Sequence, residues 1–170
     1  MILENVRSSG RVEVLKNAIP NTPDVEFFRE HRKVAMSHIR SKWITDTLSM
    51  AWEEDGCPEL TKHDGFKAFR NELLAFFGDT LWDSPAAILS DVTGELSGFN
   101  FHVDNGEQAH WQCAGRSSWY FKYPDGTEEN YELEAGDVIY IPWGVGHSVT
   151  SIESPRAGIV FSAFDMRYSS

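Results

Sequence analysis

The run "FNFHVDNGEQAH", residues 99 to 110, sets His102 and Asp104 one residue apart among apolar and aromatic neighbours. An imidazole and a carboxylate are both costly to desolvate, so a segment that reads as buried sheet needs a reason to carry them. Side chains two apart on a strand leave the same face, which sets the two groups side by side. A third group of this kind is His147 in "PWGVGHSVTSI", heading an apolar alternation after a turn rich in proline and glycine. Two imidazoles and one carboxylate on one side of a metal leave three positions open, the facial arrangement of non-heme Fe(II) oxygenases. A His-x-Asp pair alone is a weak signal, because a hydrogen bond between its members would satisfy both.

The elements that must position these groups fall in two halves, changing near residue 84. After Pro85, short apolar runs alternate with turn residues, predicting strands near 86–92, 97–104, 107–114, 117–123, 129–133, 137–141, 146–152 and 157–164. Eight strands so closely spaced predict a double-stranded β-helix, the jelly-roll barrel. Before residue 84 the period is helical, apart from a strand-like "RVEVL" at 11–15. Thr22 and Pro23 have the chemistry of a helix start. A second helix is expected after Thr45, with Leu48, Ala51 and Trp52 on one side and a stop at Gly56. The third is the clearest: Phe66, Phe69, Leu73, Phe76 and Phe77 share one face and Gly78 ends it. The expected architecture is one domain over 1–170, a helical part to 83 and a barrel from 84, with the helices on one outer face.

Composition narrows the class. At 170 residues the chain can bury a full core, and 41% hydrophobic with 24% charged residues fits an ordinary globular protein. A net charge of −11 repels phosphate backbones and anionic lipids, so neither nucleic acid nor a membrane is an expected partner. The acidic trio Glu53, Glu54 and Asp55 reads as a solvated helix end. No apolar run approaches membrane-spanning length and the N-terminus lacks a secretory pattern, so a cytoplasmic protein is expected. Cys57 and Cys113 match no metal-binding spacing and read as buried thiols.

Over residues 98 to 147 the sequence resembles the cupin superfamily. The first cupin motif is matched by His102, Asp104, Gln108 and Gly115, with aspartate for its second histidine and glutamine for its glutamate. The second is matched by Gly136, Pro142, Gly144 and His147 at their expected spacing, with Ser151 at its final asparagine. Within cupins, His-x-Asp with a distant His resembles the JmjC-like 2-oxoglutarate oxygenases, and Gln112, Gly115 and Trp119 fit the same family's next strand. The resemblance implies Fe(II) held by His102, Asp104 and His147, with 2-oxoglutarate as cosubstrate. It also implies an oxygenase that hydroxylates a small molecule or short peptide, and possible pairing of two copies. Asp104 favours hydroxylation over halogenation, since halogenases of this class lack that carboxylate.

The resemblance has one gap. The lysine or arginine that would bind the distal carboxylate of 2-oxoglutarate should stand at 117, where Ser117 offers a hydroxyl without charge. Arg156, nine residues beyond His147, stands where other 2-oxoglutarate oxygenases keep that cation, although Gly158 replaces the serine that commonly follows it. Asn100 and Gln112 are further candidates for the cosubstrate. Strand parity puts Gln108, His110 and Gln112 on one inner face, and Ser117, Trp119 and Phe121 on the next. Gln108 reads as a hydrogen-bonding neighbour of the metal ligands. His110 reads equally as a cavity contact or a bonded core histidine, and Trp143 equally as packing or a substrate contact. His31, His38 and His63 read as surface or capping residues. The rival readings are a metal-dependent cupin enzyme without 2-oxoglutarate, such as a dioxygenase, epimerase or isomerase, and a non-catalytic metal- or ligand-binding cupin.

Overall fold

The computed structural model describes residue 3 and residues 9–36, 42–44, 48–52 and 58–164. His38, Cys57 and the Glu53–Asp55 trio lie outside the described residues. The elements run β1 (Glu13–Leu15), α1 (Val25–Met36), β2 (Lys42–Ile44), β3 (Leu48–Trp52), α2 (Pro58–Lys62), α3 (Asp64–Phe77) and β4 (Leu81–Ser90). They continue with β5 (His102–Val103), β6 (Glu107–Lys122), β7 (Glu128–Glu134), β8 (Val138–Ile141) and β9 (Gly146–Ala163). Among the described residues no helix is long and apolar enough to cross a membrane.

The barrel is made by two long strands that serve both of its layers. The first half of β6 and the second half of β9 pair with each other, with β8 and β4 on either side; β1, β3 and β2 extend that layer. The second half of β6 and the first half of β9 also pair, flanked by β7 and β5. Between the halves the β6–β9 register shifts at Gln112, Ala114 and Arg116, and such irregularities bend a strand. The expected strands 107–114 and 117–123 are therefore one element, as are 146–152 and 157–164. Of the expected strand 97–104 only His102–Val103 is extended in a ladder, preceded by a 3₁₀ turn at Glu95–Ser97.

Alternation along these strands separates helix side from cavity side. Ala109, Trp111, Ile159 and Phe161 join Phe66, Phe69, Leu73 and Phe77 of α3 in one core. Phe69 lies 5.5 Å from Trp111 and 5.6 Å from Phe161 between ring centroids. Burying each such ring is worth about 1.5–3 kcal/mol, which docks α3 on the outside of the barrel. His63 caps this helix, its Nδ1 accepting from the Gly65 and Phe66 amides. The α1 cap differs from expectation: Asp24 accepts from the Phe27 amide, and the helix starts at Val25 rather than at Thr22-Pro23.

The expected second helix is a correction. Leu48–Trp52 is β3, paired with β4 over five residue pairs and with β2 on its other side. Three apolar residues at helical spacing are a short signal, and the exposed edge of β4 supplied five residues' worth of backbone partners instead.

Candidate metal centre

His102 and His147 are brought together by sheet register. They are direct partners in the β5–β9 ladder, and their ring centroids lie 4.3 Å apart. The turn before His147 uses Gly144 at φ 85°, a conformation that side-chain-bearing residues rarely adopt. Asp104 follows β5, and its two oxygens divide between the histidines: Oδ1 is 3.5 Å from His102 Nε2 and Oδ2 is 3.3 Å from His147 Nε2. Among the described residues these three form the only such cluster, with one ligand atom from each within 4.8 Å of the others.

Both imidazoles are oriented by backbone. His102 Nδ1 lies 2.7 Å from the Asn100 carbonyl and His147 Nδ1 lies 3.2 Å from that of Val145. A carbonyl can only accept, so each Nδ1 carries a proton and each Nε2 is turned toward Asp104, the nitrogen that becomes free for a metal once its ring is neutral. By accepting from the protonated ring, the Asp104 carboxylate holds His102 above its ordinary pKa, against the opposing effect of burial. Burial alone would raise the Asp104 carboxyl, but its bonds to the two histidines outweigh that and hold it well below the usual range. Ligand atoms about 2.1 Å from one ion and at right angles stand roughly 3 Å apart; here each histidine is within 3.5 Å of one Asp104 oxygen, and one ligand atom from each residue lies within 4.8 Å of the others. The donor set, two neutral nitrogens and one carboxylate, fits a divalent transition metal with three positions left over.

These residues open on a cavity of about 420 Å³ inside the barrel. Gln108, His110, Trp119 and Arg156 line it, whereas Asn100, Gln112, Ser117 and Trp143 do not. Ser117 and Gln112, expected to face the cosubstrate, are committed elsewhere. The Ser117 hydroxyl donates to Gln112 Oε1 (3.0 Å) and accepts from Trp119 Nε1 (2.9 Å), while Gln112 Nε2 donates to the Ala114 carbonyl (2.8 Å). That chain orients the Trp119 indole. Asn100 is exposed and contributes only its carbonyl, Trp143 is 47% exposed, and Gln108 accepts from Ser162 at 3.0 Å.

Arg156 is 1% exposed, with Nη2 3.3 Å from the Ser97 carbonyl. No carboxylate pairs with it among the described residues, and burial brings its pKa down to about 10. Burial, with the nearby charge of Arg156, brings His110 down to about 3, so its ring is neutral. Among the described residues three buried side-chain atoms lack a hydrogen-bond partner: Ser84 Oγ, His110 Nε2 and Arg156 Nε. All three residues line this one cavity. Trp82, Ser84 and Phe164 were not found from sequence; even-numbered spacing along β4 was the available signal for Trp82 and Ser84.

No protein-family model and no curated protein matches the sequence. Solved structures do match. The ribosomal oxygenase YcfD of Escherichia coli superposes with a TM-score of 0.66 at 20% identity, over 92% of this chain and 51% of that one. In complex with cobalt and 2-oxoglutarate, YcfD gives 0.65 at 19% identity, over 92% and 49%. A mutant of oxalate decarboxylase OxdC from Bacillus subtilis gives 0.52 at 16% identity, over 77% and 29%. The fold is a cupin, JmjC-like barrel. The chain spans about half the length of YcfD. Within the cupin barrel the His102–Asp104–His147 cluster sits where β5 and the start of β9 meet.

Proposed function

We propose that this chain is an Fe(II)- and 2-oxoglutarate-dependent oxygenase that hydroxylates a small molecule or short peptide. The observation that carries this reading is Arg156: a buried guanidinium without a counter-charge, opening on the same cavity as a facial set of metal ligands. An unpaired buried cation is destabilising, and a ligand carboxylate would relieve it through charge-assisted hydrogen bonds. His102, Asp104 and His147 would hold the iron. Bound iron and 2-oxoglutarate would together supply the activation of dioxygen for attack on a C–H bond.

The chain's own residues do the rest. The Asn100 and Val145 carbonyls keep both histidines in the metal-binding tautomer. Phe99, Val149 and Val160 give the cavity apolar walls that limit water at the reacting centre. Arg156 would fix the distal end of the cosubstrate. Further support comes from YcfD, which has this fold and was solved with cobalt and 2-oxoglutarate.

Ser117 favours a second reading, a cupin enzyme that uses its metal without 2-oxoglutarate, with Arg156 holding the carboxylate of a smaller substrate. The two are separated by titrating 2-oxoglutarate into the cobalt-loaded chain and by measuring succinate after adding Fe(II) and air. The oxygenase reading expects saturable binding and succinate formation. Absence of both, with a monocarboxylate or oxalate bound in an Arg156-dependent way, would replace it with the second.

A further inference from the structure

His110 is the one neutral ring among the three cavity residues with an unmet hydrogen bond, and its surroundings explain how it is aimed. Its ring stands against the edge of Trp119, with centroids 5.0 Å apart and planes at 67°. Its Nε2 lies over Gly158: a Cβ built there would come within 2.7 Å of that nitrogen. Any side chain at 158 would therefore displace the imidazole. Gly158 is two residues from Arg156 on β9, so both face the same side of the strand. The vacancy at 158 thus lets His110 lean along the sheet toward the arginine.

Arg156 has donors only, and the structure shows no hydrogen bond between it and His110. Two orphaned nitrogens lining one cavity can be met by a common acceptor. A carboxylate suits both: one oxygen can take the Arg156 Nε–H and the other, or the same, the Nε2–H of a neutral imidazole.

We propose that His110 is a second donor to the distal carboxylate of the bound 2-oxo acid, sharing it with Arg156, and that Gly158 is the residue that admits it. This rests on the cosubstrate reading above. The corner then carries a single positive charge and two kinds of donor, which selects a dicarboxylic 2-oxo acid over a monocarboxylic one.

The test compares 2-oxoglutarate with 2-oxobutanoate, which has the same keto acid end and no distal carboxylate. Both are titrated calorimetrically into the cobalt-loaded full chain as wild type, His110→Phe and Arg156→Met. Phenylalanine keeps the contact with Trp119 and removes the nitrogens. His110→Phe should weaken 2-oxoglutarate roughly tenfold to a hundredfold, the worth of one hydrogen bond to a charged group, and leave 2-oxobutanoate unchanged. Equal weakening of both acids would mark His110 as merely structural and overturn the inference. So would unchanged 2-oxoglutarate affinity in His110→Phe alongside a loss in Arg156→Met, an outcome that leaves the oxygenase reading intact. No weakening in Arg156→Met, or no 2-oxoglutarate binding by wild type, would remove that reading and the inference with it. A wild-type measurement covers failure of the variants to fold. In ¹⁵N-histidine spectra the His110 Nε2–H signal should shift on saturation with 2-oxoglutarate and stay in place with 2-oxobutanoate; the reverse overturns the proposal.

Discussion

Replacing Arg156 by methionine should make the ligand-free protein more stable while removing its ligand. The guanidinium is fully buried, burial brings its pKa down to about 10, and its Nε has no partner. A displacement of that size corresponds to about 3 kcal/mol against the charged form. Methionine forfeits the hydrogen bond to the Ser97 carbonyl, worth about 1 kcal/mol, and a little packing. The balance is a gain of about 1–2 kcal/mol, or roughly 3–6 °C in Tm for a chain of this length. Chelator-treated wild type and Arg156→Met are compared by urea and thermal denaturation. The order should invert with ligand: at a hundredfold excess over Kd, cobalt and 2-oxoglutarate should add about 2.7 kcal/mol to wild type and far less to the variant. A ligand-free variant less stable than wild type by more than about 1 kcal/mol would refute the reasoning, because the arginine would then be well satisfied without a ligand.

Asp104→Ala should leave a folded chain that no longer retains cobalt, read from the loss of its visible absorption after gel filtration, because two imidazoles alone hold a divalent ion weakly. His110 should make the protein acid-sensitive. Its folded pKa is about 3 against an ordinary 6.5, so between those values the unfolded chain takes up a proton that the folded one refuses. Stability therefore falls as pH drops, by up to about 1.4 kcal/mol per unit, or about 2.3 kcal/mol from pH 6.5 to 4.5. Urea denaturation of His110→Phe at the two pH values should lack that component. Phe69→Ala removes a ring that touches both Trp111 and Phe161, and should cost about 3–5 kcal/mol in the same assay without altering the metal's spectrum in the folded protein.

The barrel was legible because its long strands alternate strictly. Along 108–111 and 156–162 the odd positions are apolar and join the core with α3, while the even positions carry Gln108, His110, Arg156 and Ser162 into the cavity. The convergence of His102, Asp104 and His147 could be foreseen only through motif spacing, since no periodicity says which strands become neighbours. Leu48–Trp52 was misread because five residues carry too little pattern to separate a strand from a helix turn. Trp82 and Ser84 were missed for a different reason: Pro85 and the irregular register between Trp82 and Ala86 break the alternation of β4. Ser117 shows a further limit. A serine hydroxyl serves a ligand or a neighbour equally well, and only the structure shows it engaged by Gln112 and Trp119.

His147 and Arg156 lie on one continuous strand, β9, whose two halves belong to opposite walls of the barrel. Their mutual frame is therefore a matter of reading phase. Inserting one residue between Ile152 and Pro155, where the bend did not absorb it, would turn Arg156 to the helix side and bring an apolar neighbour inward. Inserting two would restore its direction but lengthen the span to the metal ligands by about 6–7 Å of strand. A lineage carrying this barrel could thus change which acid it accepts through a short indel in that bend, without altering any residue of the metal cluster.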